Sequence, residues 1–287
     1  MKVGFVSLVG RTNVGKSSIL NEIIGEKISI VTYKPQTTRT NVRGIYNDEE
    51  AQIIFLDTPG IHHPHKQLGQ KMNKSAYNAM KDVDVIIYVI DTSLTIDELD
   101  EEIISSLKSF KNLILCFNKI DLVKIDKANE VKEYYSSRLP QAKQVETSVP
   151  HHFNFETLIS LIKDKLEEGP LYYNPLDKTD SSLSFKIAET IREKSLKFLK
   201  QEVPHAIFVE VEKIEFKSKK MIILANIIVE TEGQKKIVIG KNGAMIKRIG
   251  VTAREDLENL FKKSIRLELF VKVKEDWRDS NSFLKNF

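Results

Sequence analysis

Five short runs of residues carry groups that could do chemistry. The first is Gly10-Arg11-Thr12-Asn13-Val14-Gly15-Lys16-Ser17, followed by Ser18. Two glycines allow backbone that a side chain would forbid, and successive N–H groups running into a helix start make a concave anion site. Lys16 adds a mobile charge for the β and γ phosphates, and the Ser17 hydroxyl is placed for Mg²⁺; together these are a P-loop. Asp57-Thr58-Pro59-Gly60 ends an apolar run. A carboxylate leaving a strand there can hold Mg²⁺ through water, and the Gly60 N–H can approach a γ-phosphate. In Asn118-Lys119-Ile120-Asp121, the Asp121 carboxylate matches guanine N1–H and the 2-amino group, a pair adenine lacks. Asn118 can tie that loop to the P-loop, and the Lys119 stem can lie over the base. Thr147-Ser148-Val149 follows a strand and can meet the base through backbone N–H groups. Between Pro35 and Thr40, a threonine of the pair Thr37-Thr38 can complete a Mg²⁺ shell only with a triphosphate present, which would make this segment a switch.

These runs need a particular frame. Apolar strand patterns at Val3–Val9, Thr40–Tyr46, Ile53–Asp57, Val83–Ile90, Leu113–Asn118 and Gln144–Thr147 alternate with helical patterns. The helices fall at Lys16–Gly25, Gln67–Lys81, Ile96–Phe110, Lys127–Arg138 and Asn154–Glu168. Such alternation predicts an α/β domain over residues 1–168, a mainly parallel sheet with helices on both faces and ligands at the carboxyl ends of the strands. Glu168-Gly169-Pro170 breaks the pattern and opens a linker over 169–183. From 184 to 287 the order is helix, strand, strand, helix, helix, strand, which predicts a smaller α+β domain.

A sixth run lies in that domain. Gly240-Lys241-Asn242-Gly243 is expected to join two short helices in a GXXG loop that clamps a sugar–phosphate backbone. Ile239, Ile246 and Ile249 are expected to line a groove for unstacked bases, with Lys241, Lys247, Arg248 and Arg254 along its positive edge. Charge supports this. Between Gly233 and Lys274 there are eleven Lys or Arg against four Asp or Glu, a net +7, which leaves the rest of the chain at −3. A basic segment on a near-neutral body suits a polyanion. RNA is preferred over DNA, because the loop needs splayed single strands.

Composition sets the outer bounds. The 287 residues are 41% hydrophobic and 29% charged, ordinary for a globular protein of about two domains. No apolar stretch approaches the length of a membrane span. The single Cys116 excludes an internal disulfide framework and fits a cytoplasmic setting. It sits in an apolar strand and reads as core.

In order and wording these runs resemble translation-factor-type small GTPases, and Gln36-Thr37-Thr38-Arg39 with Ile28-Ser29-Ile30-Val31 resembles the bacterial Era family. The second half is similar to a type II KH domain, and the likeness spans nearly the whole chain. It implies a P-loop GTPase domain followed by a KH domain, binding GTP or GDP with Mg²⁺. Lys16, Thr38 and Gly60 would then take part in hydrolysis, with Ser17, Thr38 and Asp57 around the metal. It implies ribosomal RNA as partner, at the 3′ end of the small-subunit species, a part in assembling that subunit, and a monomeric protein. It also implies K⁺ near Asn13 and peripheral contact with the cytoplasmic face of the cell membrane. Val149 departs from the family's usual alanine. Ile61 stands where many small GTPases place a water-orienting Gln, so slow intrinsic hydrolysis is expected. His62, His63 and His65 are nearby, either polarising water or exposed and inert. Two other readings fit the same residues: a GTP-dependent RNA-modifying enzyme, and a passive RNA-binding protein whose GTPase domain is structural.

Overall fold

The structure is a computed structural model that describes residues 1–218 and 220–285. The chain divides into two compact units, Met1–His65 with Gly69–Asp180, and Lys66–Leu68 with the chain from Ser181 onward.

Up to Glu168 the elements are β1 (Lys2–Val9), α1 (Lys16–Ile24), β2 (Val42–Asn47), β3 (Ala51–Asp57), α2 (Gln67–Asn78), β4 (Val85–Asp91), α3 (Glu98–Leu107), β5 (Leu113–Asn118), α4 (Ile125–Arg138), β6 (Lys143–Thr147), α5 (Phe155–Lys163) and β7 (Glu167–Glu168). Among the described residues they build a seven-stranded sheet ordered β2-β3-β1-β4-β5-β6, with β7 against β1. Only β2 and β7 run antiparallel to their neighbours.

Every residue of β4 is buried, as a central strand covered on both faces requires. Its side chains alternate between two cores. Val85, Ile87 and Val89 join Ile19 of α1 and Leu158 of α5. Ile86, Tyr88 and Ile90 join Ile103 of α3 and Val131 of α4. The start of α3 is fixed by a reciprocal cap. The Asp97 carboxylate accepts from Leu99 N–H at 2.9 Å, and Asp97 N–H donates to Asp100 at 3.0 Å.

Two expectations change. The last helix of this half stops at Lys163 rather than Glu168, because Leu166 drops into the core and Glu167–Glu168 pair with β1. The chain after it does not hang free. Buried Gln52 of β3 accepts from Tyr172 N–H at 2.8 Å and Tyr173 N–H at 3.0 Å, and donates to Tyr173 O at 2.9 Å. Ile45 N–H donates to Lys178 O at 2.8 Å, so the edge of β2 is covered.

The second unit contains α6 (Leu183–Phe198), β8 (Phe208–Phe216), β9 (Lys220–Val229), α7 (Glu232–Ile239), α8 (Ala244–Phe261), β10 (Ser264–Val273) and α9 (Asn281–Leu284). Its sheet is ordered β10-β9-β8, with β10 parallel and β8 antiparallel to β9. The helix after the GXXG loop is long, not short. Ile249, Ala253 and Leu257, spaced four apart, form its buried stripe. Ile249 is therefore core rather than groove, at 0% exposed. Trp277 is fully buried and donates to Ala206 O at 2.9 Å. The expected domain's last residues, Asn286 and Phe287, lie outside the described residues.

Candidate nucleotide site and nucleic-acid groove

The P-loop crosses the carboxyl end of β1 and enters α1. Gly15 has φ +104°, and a Cβ there would stand 2.3 Å from the Asn118 side chain, so only glycine lets the two loops meet. Asn118 Nδ2 donates to Val14 O at 2.9 Å, and Thr147 Oγ1 donates to Asn118 Oδ1 at 3.1 Å. Three sequence-distant runs are thereby locked together. Ile61 N–H donates to Gly10 O at 3.1 Å and ties in the fourth.

Lys16 is buried, and its ammonium donates to Gly10 O at 3.0 Å and Arg11 O at 2.7 Å. Burial pulls its pKa down to about 8, with Asp57 opposing. Burial pushes the Asp57 carboxyl up, against Ser17 and Lys16. Each charge is disfavoured by its surroundings and only partly offset by the other.

Three oxygens converge beside them. Ser17 Oγ donates to Asp57 Oδ2 at 2.6 Å and lies 2.9 Å from Thr38 Oγ1, which is 3.5 Å from the same carboxylate oxygen. Asp57 Oδ1 is buried and accepts no hydrogen bond of normal geometry, although the Ser29 hydroxyl neighbours it. An all-oxygen set with one underused carboxylate suits a hard cation that keeps its own waters, as Mg²⁺ does. The neighbouring Thr37 hydroxyl is turned away, donating to Lys34 O at 2.6 Å. The geometry thus separates two threonines that spacing left open.

A cavity of about 330 Å³ opens here, lined by Thr12, Asn13, Lys16, Ser17, Ser18 and Gly60 among others. Not every expected residue faces it. The Thr58 hydroxyl is buried on Leu8 O at 2.7 Å, and Arg11 turns outward to Asp97 and Asp100, each at 2.8 Å. Val14 is buried in the core. Ile61 is also buried, so its side chain offers nothing to a water in the cavity. His62 is half-buried. Its Nδ1 donates to Gly60 O at 2.8 Å, leaving Nε2 to accept from Gln36 at 3.0 Å. Burial lowers its pKa, so it is the neutral ring that holds this pair. His63 and His65 are exposed.

The base-reading loop contains partners that spacing did not show. Asp121 is exposed, and its carboxylate accepts from Ser148 Oγ at 2.6 Å. The Ser148 side chain, not only its backbone, sets the carboxylate's direction. Lys119 donates to Asn13 O at 2.8 Å and pairs with the buried Asp91 at 2.6 Å. Asp91 was missed. Its signal was an acidic residue closing the apolar run of β4, the same signal that marks Asp57.

In the second unit, Gly240 (φ +73°) turns the chain between α7 and α8, and a Cβ there would meet Met245 Cβ at 2.7 Å. Lys241 and Asn242 are exposed. Beside the loop a cavity of about 300 Å³ is lined by Ile246, Lys247, Gly250, Val251 and Arg254 of α8 and by Leu267 and Leu269 of β10. The last two supply apolar lining that the sequence reading did not assign. The Arg248 guanidinium lies 4.2 Å over the Phe198 ring.

A P-loop with a convergent oxygen set, an Asn-Lys-x-Asp loop on the same sheet, and a GXXG unit later in the chain define a guanine-nucleotide GTPase fused to a KH domain. Family models agree: one described as a 50S ribosome-binding GTPase matches residues 5–119, and a KH domain matches 202–278. GTPase Era of Clostridioides difficile is 45% identical, covering 100% of this chain and 98% of that protein. GTPase Era of Caldanaerobacter subterraneus is also 45% identical, over 99% and 96%. The chain belongs to the Era family of GTPases. Two solved structures are similar throughout. A point variant of Aquifex aeolicus Era bound to GDP·AlF4⁻ superposes with a TM-score of 0.95 at 37% identity, covering 100% of this chain and 99% of that one. Era in complex with MgGDPNP and nucleotides 1506–1542 of 16S ribosomal RNA gives 0.96 at 36%, covering 100% and 98%.

Proposed function

We propose that this chain is a GTP-hydrolysing switch that grips the 3′ end of small-subunit ribosomal RNA and assists assembly of that subunit. Residues 1–168 read and hydrolyse the nucleotide, and residues 184–287 bind the RNA. The observation that carries this is the presence of a nucleotide cavity and a GXXG groove in one chain that is similar throughout to an Era structure holding both a GTP analogue and a 16S fragment.

The P-loop from Gly10 to Ser18 cradles the phosphates, with Lys16 across the β and γ groups. Asn118, Lys119, Asp121 and the Thr147–Val149 run enclose guanine. Ser17, Thr38 and Asp57 would hold Mg²⁺, which when bound neutralises charge on the transferred phosphoryl group. Thr38 brings its loop to the site only when it can share that donor set, and Gly60 offers a backbone N–H toward the γ-phosphate. This makes both segments responsive to hydrolysis. Ile61 leaves the attacking water without a side-chain partner at its usual position, so turnover is slow until something else supplies one. K⁺ beside Asn13 is one such supplement, and exchange of K⁺ for Na⁺ with unchanged turnover would remove it. Lys241 and the N–H groups of the GXXG loop hold the RNA backbone, with Ile239, Asn242, Lys247, Arg248 and Arg254 around the bases. Peripheral membrane contact would rest on basic surface alone and is checked by co-sedimentation with anionic vesicles.

The test is RNA binding by the full chain with GTP analogue, with GDP and without nucleotide. The switch predicts different affinities; equal ones would reduce the protein to a passive RNA binder. Lys16→Ala should abolish nucleotide binding and leave RNA binding measurable. Gly240→Asp should abolish RNA binding, by strain and by charge, and leave GDP binding intact.

A further inference from the structure

One wall of the nucleotide cavity comes from no nucleotide motif. Tyr33, in the loop after α1, lines it and is 76% exposed. A large aromatic face at the mouth of a ligand cavity is apolar surface with contact still to make. Its backbone is held. Asn13 Nδ2 donates to Tyr33 O at 2.8 Å. Asn13 is itself fixed in the left-handed region (φ +63°), and its carbonyl accepts from Lys119 at 2.8 Å. Lys119 is anchored on Asp91 at 2.6 Å. An unbroken series of contacts therefore runs from the buried end of β4, through Lys119 and the P-loop, to the peptide that carries the ring. The Lys34 ammonium stands 5.5 Å from the ring centroid.

We propose that Tyr33 is a nucleotide lid: its ring closes over the sugar of the bound guanosine nucleotide and slows its departure. The assignment rests on the proposed nucleotide reading and deepens it. Lys119 marks the base side of the cavity and Lys16 the phosphate side. Asn13, which holds the lid, sits between them, and the part of a nucleotide that spans those two places is the ribose. A ring laid on a sugar gains area without reading the base. It lengthens residence and leaves guanine selection to Asp121.

The experiment follows release of tritiated GDP from the full chain, because a fluorophore on the ribose would disturb the contact in question. Tyr33→Ala should release GDP about three- to tenfold faster, the scale of one aromatic contact. Tyr33→Phe, which keeps the ring, should restore slow release. Asn13→Ala should speed release as Tyr33→Ala does, and the two together should add little, because an unheld ring has already lost its contact. Melting temperature should not move in Tyr33→Ala, which separates a lost lid from a damaged fold. Unchanged release in Tyr33→Ala, effects that multiply in the double variant, or a loss of guanine preference over adenine would each overturn the assignment. Failure of the unsubstituted chain to bind GDP would instead overturn the nucleotide reading beneath it.

Discussion

Asp121 and Ser148 show how much of the nucleotide chemistry rests on one hydroxyl. The carboxylate proposed to read guanine is exposed, so its direction is set by the bond from Ser148 Oγ at 2.6 Å. A hydrogen bond to a charged group is worth about 1.5–3 kcal/mol. Ser148→Ala should therefore weaken GDP binding by about tenfold or more, measured by calorimetry, with inosine nucleotides affected less because they lack the 2-amino group. At this scale the motifs were readable, because a P-loop's spacing dictates its backbone and the backbone does the binding. Asp91 and the Ser148 hydroxyl were not readable. Their partners lie 28 and 27 residues away, and no local pattern records a contact made across the sheet. Thr37 and Thr38 were adjacent and chemically equal in the sequence. In the structure their partners differ: Thr38 lies beside Ser17 and Asp57, whereas Thr37 donates to Lys34 O.

Elements were legible where periodicity ran unbroken and misread where tertiary contacts ended them. β4 and β5 followed from their apolar runs. α5 was overrun because nothing local stops it; Leu166 and the pairing of Glu167–Glu168 with β1 do. The glycine-rich start of α8 suggests a short helix. Its four-residue stripe of Ile249, Ala253 and Leu257 was present in the sequence and argued for length. The β2–β3 turn supplies a prediction at this scale. Asp48 accepts from Glu50 N–H at 2.9 Å, Ala51 N–H at 2.8 Å and Tyr46 OH at 2.8 Å, and pairs with Lys163 at 2.7 Å. Burial pushes its carboxyl up, but Lys163 and these donors outweigh that and hold it at about 2. A depressed carboxyl stabilises the fold fully above its unfolded pKa of about 4. That contribution is lost as pH falls through about 2. Urea midpoints measured from pH 5 to pH 2 should fall more steeply in the parent than in Asp48→Asn, which starts lower and has less to lose.

Over the whole molecule, the division into a mainly parallel α/β half and an αββααβ half was visible in the alternation of patterns and the break at Gly169-Pro170. The course of the segment between them was not. Gln52 is a polar residue in an otherwise apolar strand. Its side chain grips the Tyr172–Tyr173 backbone, 120 residues onward. Gln52→Leu should cost about 1–3 kcal/mol by removing three hydrogen bonds to the Tyr172–Tyr173 backbone. Hydrogen exchange at Tyr172 and Tyr173 should rise, while exchange in β5 stays as it was.

The buried Lys16–Asp57 pair has one more consequence. Each of these charges is disfavoured by its burial and only partly compensated by the other. A phosphate chain and its metal bring the complementary charges, so part of the cost of folding this half is repaid only by the ligand. Nucleotide then acts as a folding partner as well as a signal. At a hundredfold excess over Kd it should add about 2.7 kcal/mol to stability and raise the melting temperature by several degrees. Where guanine nucleotides run low, the protein becomes easier for proteases to open, and its abundance would follow the supply of the molecule it hydrolyses.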